Sequence, residues 1–417
     1  MNIKDIQPAM WERAARVEQG LLGRFAEIDQ VAQQNTLRVM EAFQNQRVTE
    51  GCFAGTTGYG YDDMGRETLD KLYAEIFGAE AALVRIGFVN GTHTISAALF
   101  AALKPGDTLM SVTGLPYDTM RTVIGISGDE FGSLKFYGMH YDQVDLNGAG
   151  EPDYPEISRR VAEVRPAAVL IQRSRGYEER KALSIAEIGK IVDCVKQANP
   201  DTVVVVDNCY GEFTETMEPT HVGADLIAGS LIKNPGGGIA PMGGYIAGRQ
   251  DLVDRAANRQ TTPGIGAECG ATLGNNRLLY QGLFLAPHTV AQALKTAVFC
   301  SALFTDMGYE TYPAPMDPRD DIVQMVKLRT PENLKKFCKG IQEGSPVDSF
   351  VVPEPWQMPG YDCDVIMAAG AFIQGSSIEL SADGPLREPY MVYVQGGLTY
   401  ESGKLGILLA ASEMMDN

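Results

Sequence analysis

Val203-Val204-Val205-Val206-Asp207 is a run of four valines that ends in a carboxylate. Further along, the apolar stretch Ala224 to Ile232 ends in a lone lysine, Lys233, ahead of Asn234-Pro235-Gly236-Gly237-Gly238. A valine run of this kind reads as a buried strand. An Asp and a Lys at neighbouring strand ends suit pyridoxal phosphate (PLP) chemistry. The carboxylate keeps the pyridinium nitrogen protonated, because an opposite charge at close range favours the charged form. The lysine forms a Schiff base with the aldehyde. Burial beside an apolar wall is expected to lower its pKa and free its lone pair. Singly, Asp207 reads as a helix cap and Lys233 as a solvated loop residue; in this order and spacing the cofactor reading prevails.

PLP also needs a phosphate cradle. Asn90-Gly91-Thr92 offers a glycine for close approach, a hydroxyl and the start of a helix, and a helix N-terminus favours anions. The plainer reading is an ordinary N-cap, which Asn and Thr also favour. Ser230 is a second hydroxyl for the phosphate. Tyr117, in a loop after a strand, offers a ring to stack on the cofactor. A substrate carboxylate calls for a bidentate arginine, and Arg387, Arg173 and Arg175 are the candidates, each otherwise a surface ion pair. Gln172, at a strand end, joins the substrate-binding set.

These residues need a scaffold of alternating strands and helices. Residues 1 to 50 carry apolar positions near a 3.6-residue period and form a helical arm. Residues 51–290 form a large α/β domain, with apolar strands at 81–85, 108–112, 167–172 and 203–206 interleaved with helices such as 185–197. Continuous apolar strands of this kind imply a mostly parallel sheet covered on both faces, and ligands then sit beyond the carboxyl ends of the strands. Asn90, Gln172, Asp207 and Lys233 all fall at or just past such ends. A long helix is predicted over 274–304. Residues 291–417, richer in prolines and short strands, form a smaller α+β domain.

Composition limits the function classes. A net charge of -18 over 417 residues and a pI near 4.7 disfavour nucleic acid and anionic membranes as partners. No apolar run is long enough to span a bilayer, and the first residues show no charged-then-apolar signal pattern. The 7 cysteines are scattered without a C-x-x-C pair, which fits reduced thiols in a cytoplasm and no structural zinc. No metal site is expected.

The segments Gly58-Tyr59-Gly60-Tyr61-Asp62-Asp63-Met64-Gly65-Arg66, Gly114-Leu115-Pro116-Tyr117-Asp118-Thr119, Gln172 to Tyr177, Val206 to Phe213, Gly229 to Gly238 and Gln395 to Tyr400 together resemble those of the PLP-dependent cystathionine beta-lyase and methionine gamma-lyase relatives, in the branch described as aluminium-resistance proteins. The resemblance implies the PLP-dependent transferase fold (fold type I), with Lys233, Asp207 and Tyr117 as the catalytic set. It implies a phosphate held by Asn90, Gly91, Thr92 and Ser230. It also implies a homo-oligomer, a dimer or a dimer of dimers, in which Tyr59 and Tyr61 reach the neighbouring subunit's phosphate and Thr262 to Gly266 lies at an interface. Better-known members carry Tyr-x-Arg at the inter-subunit loop, where this chain has Tyr59 and Tyr61. They carry a hydroxyl residue just before the lysine, where this chain has Ile232.

The implied activity is α,β- or α,γ-elimination on a sulfur amino acid of the cystathionine, cysteine or methionine type. The alternatives are another PLP reaction on the same fold, such as an aminotransferase or aldolase, and a PLP-binding stress protein with little turnover.

Overall fold

A computed structural model describes residues 3–127, 131–358 and 363–415. The larger sheet contains β1 (Ala81–Arg85), β2 (Thr108–Ser111), β3 (His140–Gln143), β4 (Ala168–Gln172), β5 (Val203–Asp207), β6 (Leu226–Ser230) and β7 (Gly244–Gly248). Their order is β1-β7-β6-β5-β4-β2-β3. Pairings from β6 through β5, β4 and β2 to β3 are parallel, while β7 runs antiparallel to both β6 and β1. The valine run lies at the centre of this sheet, with Val204, Val205 and Val206 fully buried. Burying each such side chain contributes about 1.5–3 kcal/mol.

Helices close both faces, as continuous apolar strands require. Helix Gly91–Ala102 packs against β6 and β7. Helix Ile185–Ala198 starts in a capping box between Ser184 and Glu187, which satisfies the first free N–H groups. The N-terminal arm is two helices, Pro8–Gln19 and Leu22–Asn45.

Helix Asn276–Asp306 runs uninterrupted through residue 290, so a continuous helix carries the chain from the larger sheet to the smaller one. That second sheet contains β8 (Glu310–Tyr312), β9 (Gln324–Lys327), β10 (Trp356–Gln357), β11 (Asp364–Ala369), β12 (Ser381–Pro385) and β13 (Met391–Gln395). It is antiparallel throughout, in the order β10-β11-β12-β13-β9-β8. Its helical cover is Pro331–Glu343 and Tyr400–Met415, packed on each other. Among the described residues no helix is long and apolar enough to cross a membrane, no group of His, Cys, Asp and Glu is placed to hold a metal ion, and all seven cysteines are free thiols.

Candidate active site

Gln172, Asp207 and Ser230 are the last residues of β4, β5 and β6. These strands are adjacent and parallel, so all three emerge at one carboxyl edge. A cavity of about 660 Å³ opens there. Its walls bring together Asn90, Gly91, Thr92, Tyr117 and Lys233 with those three strand ends.

Lys233 follows β6 and leads into a short turn, Asn234–Gly236. The turn is fixed from two sides. The Asn234 amide donates to the carbonyls of Tyr210 and Glu212 at 3.0 and 2.9 Å. Close packing demands the glycines: a Cβ on Gly236 would lie 1.7 Å from the Leu231 carbonyl oxygen, and one on Gly237 would lie 2.4 Å from the Gly282 carbonyl oxygen of helix Asn276–Asp306. Lys233 Nζ sits 4.0 Å from the centre of the Tyr210 ring. Tyr210 holds φ at +72°, a conformation a bulky residue adopts only when its surroundings impose it.

The charge state of Lys233 differs from the sequence expectation. Burial favours the neutral amine, but the acidic groups around it, Cys209, Tyr210, Asp207 and Glu212, outweigh burial and hold its pKa above the ordinary lysine range. The apolar wall expected to depress it is accompanied by Asp207, which the sequence placed nearby, and by Glu212, which it did not. Asp207 is pushed up by burial, with the Lys233 charge opposing; one of its oxygens accepts from the Cys209 N–H at 3.1 Å. A carboxyl that burial makes avid for a proton is suited to share one with a ring nitrogen.

At the other end of the cavity Asn90 caps helix Gly91–Ala102, its side chain accepting from the His93 N–H at 2.8 Å. The cap reading of Asn90 is therefore realised. Helix geometry leaves the N–H groups of Gly91 and Thr92 outside the intrahelical ladder. A Cβ on Gly91 would approach the Ser230 Cβ to 3.3 Å, so glycine keeps this corner open. Ser230 Oγ is buried and has no hydrogen-bond partner among the described residues. A buried hydroxyl without a partner is costly, and a phosphate at this helix start would satisfy it. The residues present thus fit PLP.

Tyr117 lines the cavity and is positioned through its backbone: its N–H donates to Gln172 Oε1 at 2.7 Å. Gln172 Nε2 in turn donates to the Ser174 carbonyl at 3.0 Å. Gln172 thereby reads as a brace for Tyr117 more than as a group for the substrate.

The arginines do not converge on the cavity. Arg173 is fully buried behind the sheet, bonded to Asn208 Oδ1 at 2.9 Å and paired with Glu215 and Glu218 at 3.0 and 3.5 Å. Arg175 is buried against Asp321 at 3.5 Å and over the Tyr312 ring. Arg387 is exposed and off the cavity wall. Lys233 is the one cationic side chain lining the cavity among the described residues.

Tyr59 and Tyr61 also lie away from the cavity, 70% and 55% exposed, stacked on each other with ring centres 5.6 Å apart. Their loop is firmly held. Buried Arg66 donates to the Gly60 and Gly270 carbonyls at 2.5 and 3.0 Å, and the Gly270 N–H donates to the Tyr59 carbonyl.

Several cavity groups were not singled out from sequence. Cys209 and Tyr210 directly follow the Asp207 strand. Glu212 lies behind Lys233, fully buried, and burial pushes its carboxyl up to about 8. On the small-sheet wall stand Asp383 of β12 and Gln395 of β13. Only the antiparallel pairing of these two strands reveals that pair.

The methionine gamma-lyase family model matches residues 10–415. The chain is 47% identical to the uncharacterized protein YnbB of Bacillus subtilis, over 96% of each chain. It is 51% identical to a solved structure from Clostridium novyi NT described as a carbon-sulfur lyase involved in aluminium resistance, with a TM-score of 0.95 over 98% of this chain and 97% of that one. A structure from Clostridium acetobutylicum, a proposed cystathionine beta-lyase involved in aluminium resistance, is 48% identical with a TM-score of 0.95 over 99% and 97%. A strand-end Asp and Lys beside a helix-start anion cradle, in a chain matched almost end to end, make this protein a member of the methionine gamma-lyase family of PLP-dependent lyases.

Proposed function

We propose that the chain binds PLP in the 660 Å³ cavity and eliminates a thiol from a sulfur amino acid of the cystathionine, cysteine or methionine type. The observation that carries this reading is the meeting of Lys233, Asp207 and the unpartnered Ser230 hydroxyl in one cavity at the start of helix Gly91–Ala102.

When bound, PLP supplies an electron sink for the pair left at the substrate's α-carbon. The chain's own residues do the remainder. The N–H groups of Gly91 and Thr92, with Ser230 Oγ, would hold the phosphate. Asp207 would keep a proton at the ring nitrogen, and Tyr117 would supply the ring for the cofactor to stack on. Lys233 would anchor the cofactor through its aldehyde and, once freed, would take the α-proton as general base. The lysine that takes the α-proton would also hand a proton to the departing sulfur. The released unsaturated amine hydrolyses to a keto acid and ammonia.

The exposed, stacked Tyr59 and Tyr61 support a homo-oligomer in which this loop completes a neighbouring site. The names of the Clostridium relatives support carbon–sulfur cleavage.

The test is product analysis with the Lys233→Ala variant. Thiol, keto acid and ammonia should appear in equal amounts with the parent enzyme and vanish with the variant. Amino-group exchange without thiol release would replace this reading with an aminotransferase.

A further inference from the structure

The cavity wall contributed by the smaller sheet carries hydrogen-bond acceptors and a carboxylate where an amino-acid enzyme would be expected to offer a cation. Asp383 Oδ2 accepts from Gln395 Nε2 at 2.8 Å, and the Tyr177 hydroxyl also bonds to Asp383. Two donors of this wall are thus spent on one carboxylate. That bond also fixes the Gln395 amide, since the opposite orientation would set its oxygen against the carboxylate. Gln395 Oε1 is left buried and unpartnered, in a residue 4% exposed, and nearby Ser376 Oγ is likewise buried and unpartnered. All three residues line the cavity, where Lys233 is the single cation among the described residues.

A buried acceptor without a donor is costly, and a carboxylate on a cavity wall favours a cation beside it. The Lys233 charge reaches Asp383, but in the PLP-loaded protein that lysine is committed to the cofactor. A methyl or alkyl chain would leave Gln395 Oε1 without a donor and the Asp383 charge without a counter-charge. A carboxylate-ended chain would be repelled. An ammonium satisfies both acceptors at once.

We propose that Asp383 and Gln395 form a specificity pocket for a protonated amine on the substrate's side chain, so that the preferred substrate is a cysteine thioether whose leaving thiol carries an ammonium group. The assignment rests on the lyase reading above. In the reaction the Cβ–S bond breaks, the α-proton passes to Lys233, and the sulfur takes up a proton as the aminated thiol departs. The remaining aminoacrylate adds water to give pyruvate and ammonia.

S-(2-aminoethyl)-L-cysteine and S-propyl-L-cysteine are nearly isosteric and differ in the terminal ammonium. With the PLP-loaded protein, pyruvate formation should favour the aminoethyl compound in kcat/KM by roughly 10- to 150-fold, the range of a hydrogen bond to a charged group. Calorimetric binding to the PLP-loaded Lys233→Ala variant should show the same preference. Asp383→Asn should bring both ratios to within about threefold of one, because the neutral amide no longer discriminates charge. Equal handling of the two compounds by the parent protein overturns the proposal, and so does a preference that survives Asp383→Asn. The parent ratio decides alone should the variant fail to fold. If neither compound yields pyruvate, the lyase reading fails, while the calorimetric ratio still decides the role of Asp383.

Discussion

Ser230→Ala should act in opposite directions on the cofactor-free and the cofactor-bound protein. Ser230 is 1% exposed and its hydroxyl has no partner among the described residues. An unsatisfied buried hydroxyl costs about 1–3 kcal/mol. Removing it should leave the PLP-free variant at least as stable as the parent, by up to about that amount. With PLP present the hydroxyl would donate to a phosphate oxygen, a hydrogen bond to a charged group that contributes about 1.5–3 kcal/mol. Its loss should therefore raise the PLP dissociation constant roughly 10- to 150-fold. Equilibrium urea unfolding of resolved protein reads the first effect, and fluorescence titration with PLP reads the second. A variant that is less stable without PLP yet binds it as tightly as the parent would refute the assignment of Ser230 to the phosphate.

Three further outcomes follow from the geometry. Arg173→Ala should destabilise the fold by about 3–5 kcal/mol, because it removes one of the two guanidinium groups paired with the fully buried Glu218 carboxylate and leaves Arg38 at 3.7 Å as the other; a rise in KM with unchanged denaturation midpoint would instead restore Arg173 as a carboxylate binder. Glu212, raised by burial to about 8, binds a proton in the folded state that the unfolded chain releases nearer its ordinary 4.5. Stability from this group is therefore present at acid pH and is lost as pH rises from about 4.5 to 8. Glu212→Gln should flatten that fall in urea midpoints measured from pH 5 to 8.5, and superimposable profiles would show that Glu212 does not titrate there. Gly236→Ala should cost about 3 kcal/mol or more and release PLP, since its Cβ would sit 1.7 Å from the Leu231 carbonyl; a variant of normal midpoint and cofactor content would show that the Lys233 turn is less tightly held than its packing implies.

The parts of the site legible in sequence are those encoded by short, continuous signals. Four valines before Asp207 specify a buried strand whatever surrounds them, and β5 runs from Val203 to Asp207 as expected. The apolar run before Lys233 likewise becomes β6. β7 was not singled out because Gly243-Gly244-Tyr245-Ile246-Ala247-Gly248 sets only three apolar residues between glycines. Its glycines answer to tertiary neighbours, a Cβ on Gly244 falling 2.0 Å from Thr94 Oγ1.

Residue type was equally uninformative for the arginines, since a guanidinium suited to a substrate carboxylate is as well suited to Glu215 and Glu218. The charge state of Lys233 could not be read from its apolar flank, because Glu212 and Asp207 reach it from a neighbouring strand end. Asp383 and Gln395 are separated by a turn and meet only through the register that pairs Ser381 with Gln395.

The experiment that decides the cofactor assignment is the visible absorption spectrum of the purified, PLP-supplemented protein before and after borohydride, with peptide mapping of the reduced product. A visible band that borohydride abolishes, leaving a pyridoxyl group on Lys233, is the predicted result. A protein that takes up no PLP, or one that carries the label on a different lysine, would contradict the assignment of Lys233 and Asp207 to PLP chemistry.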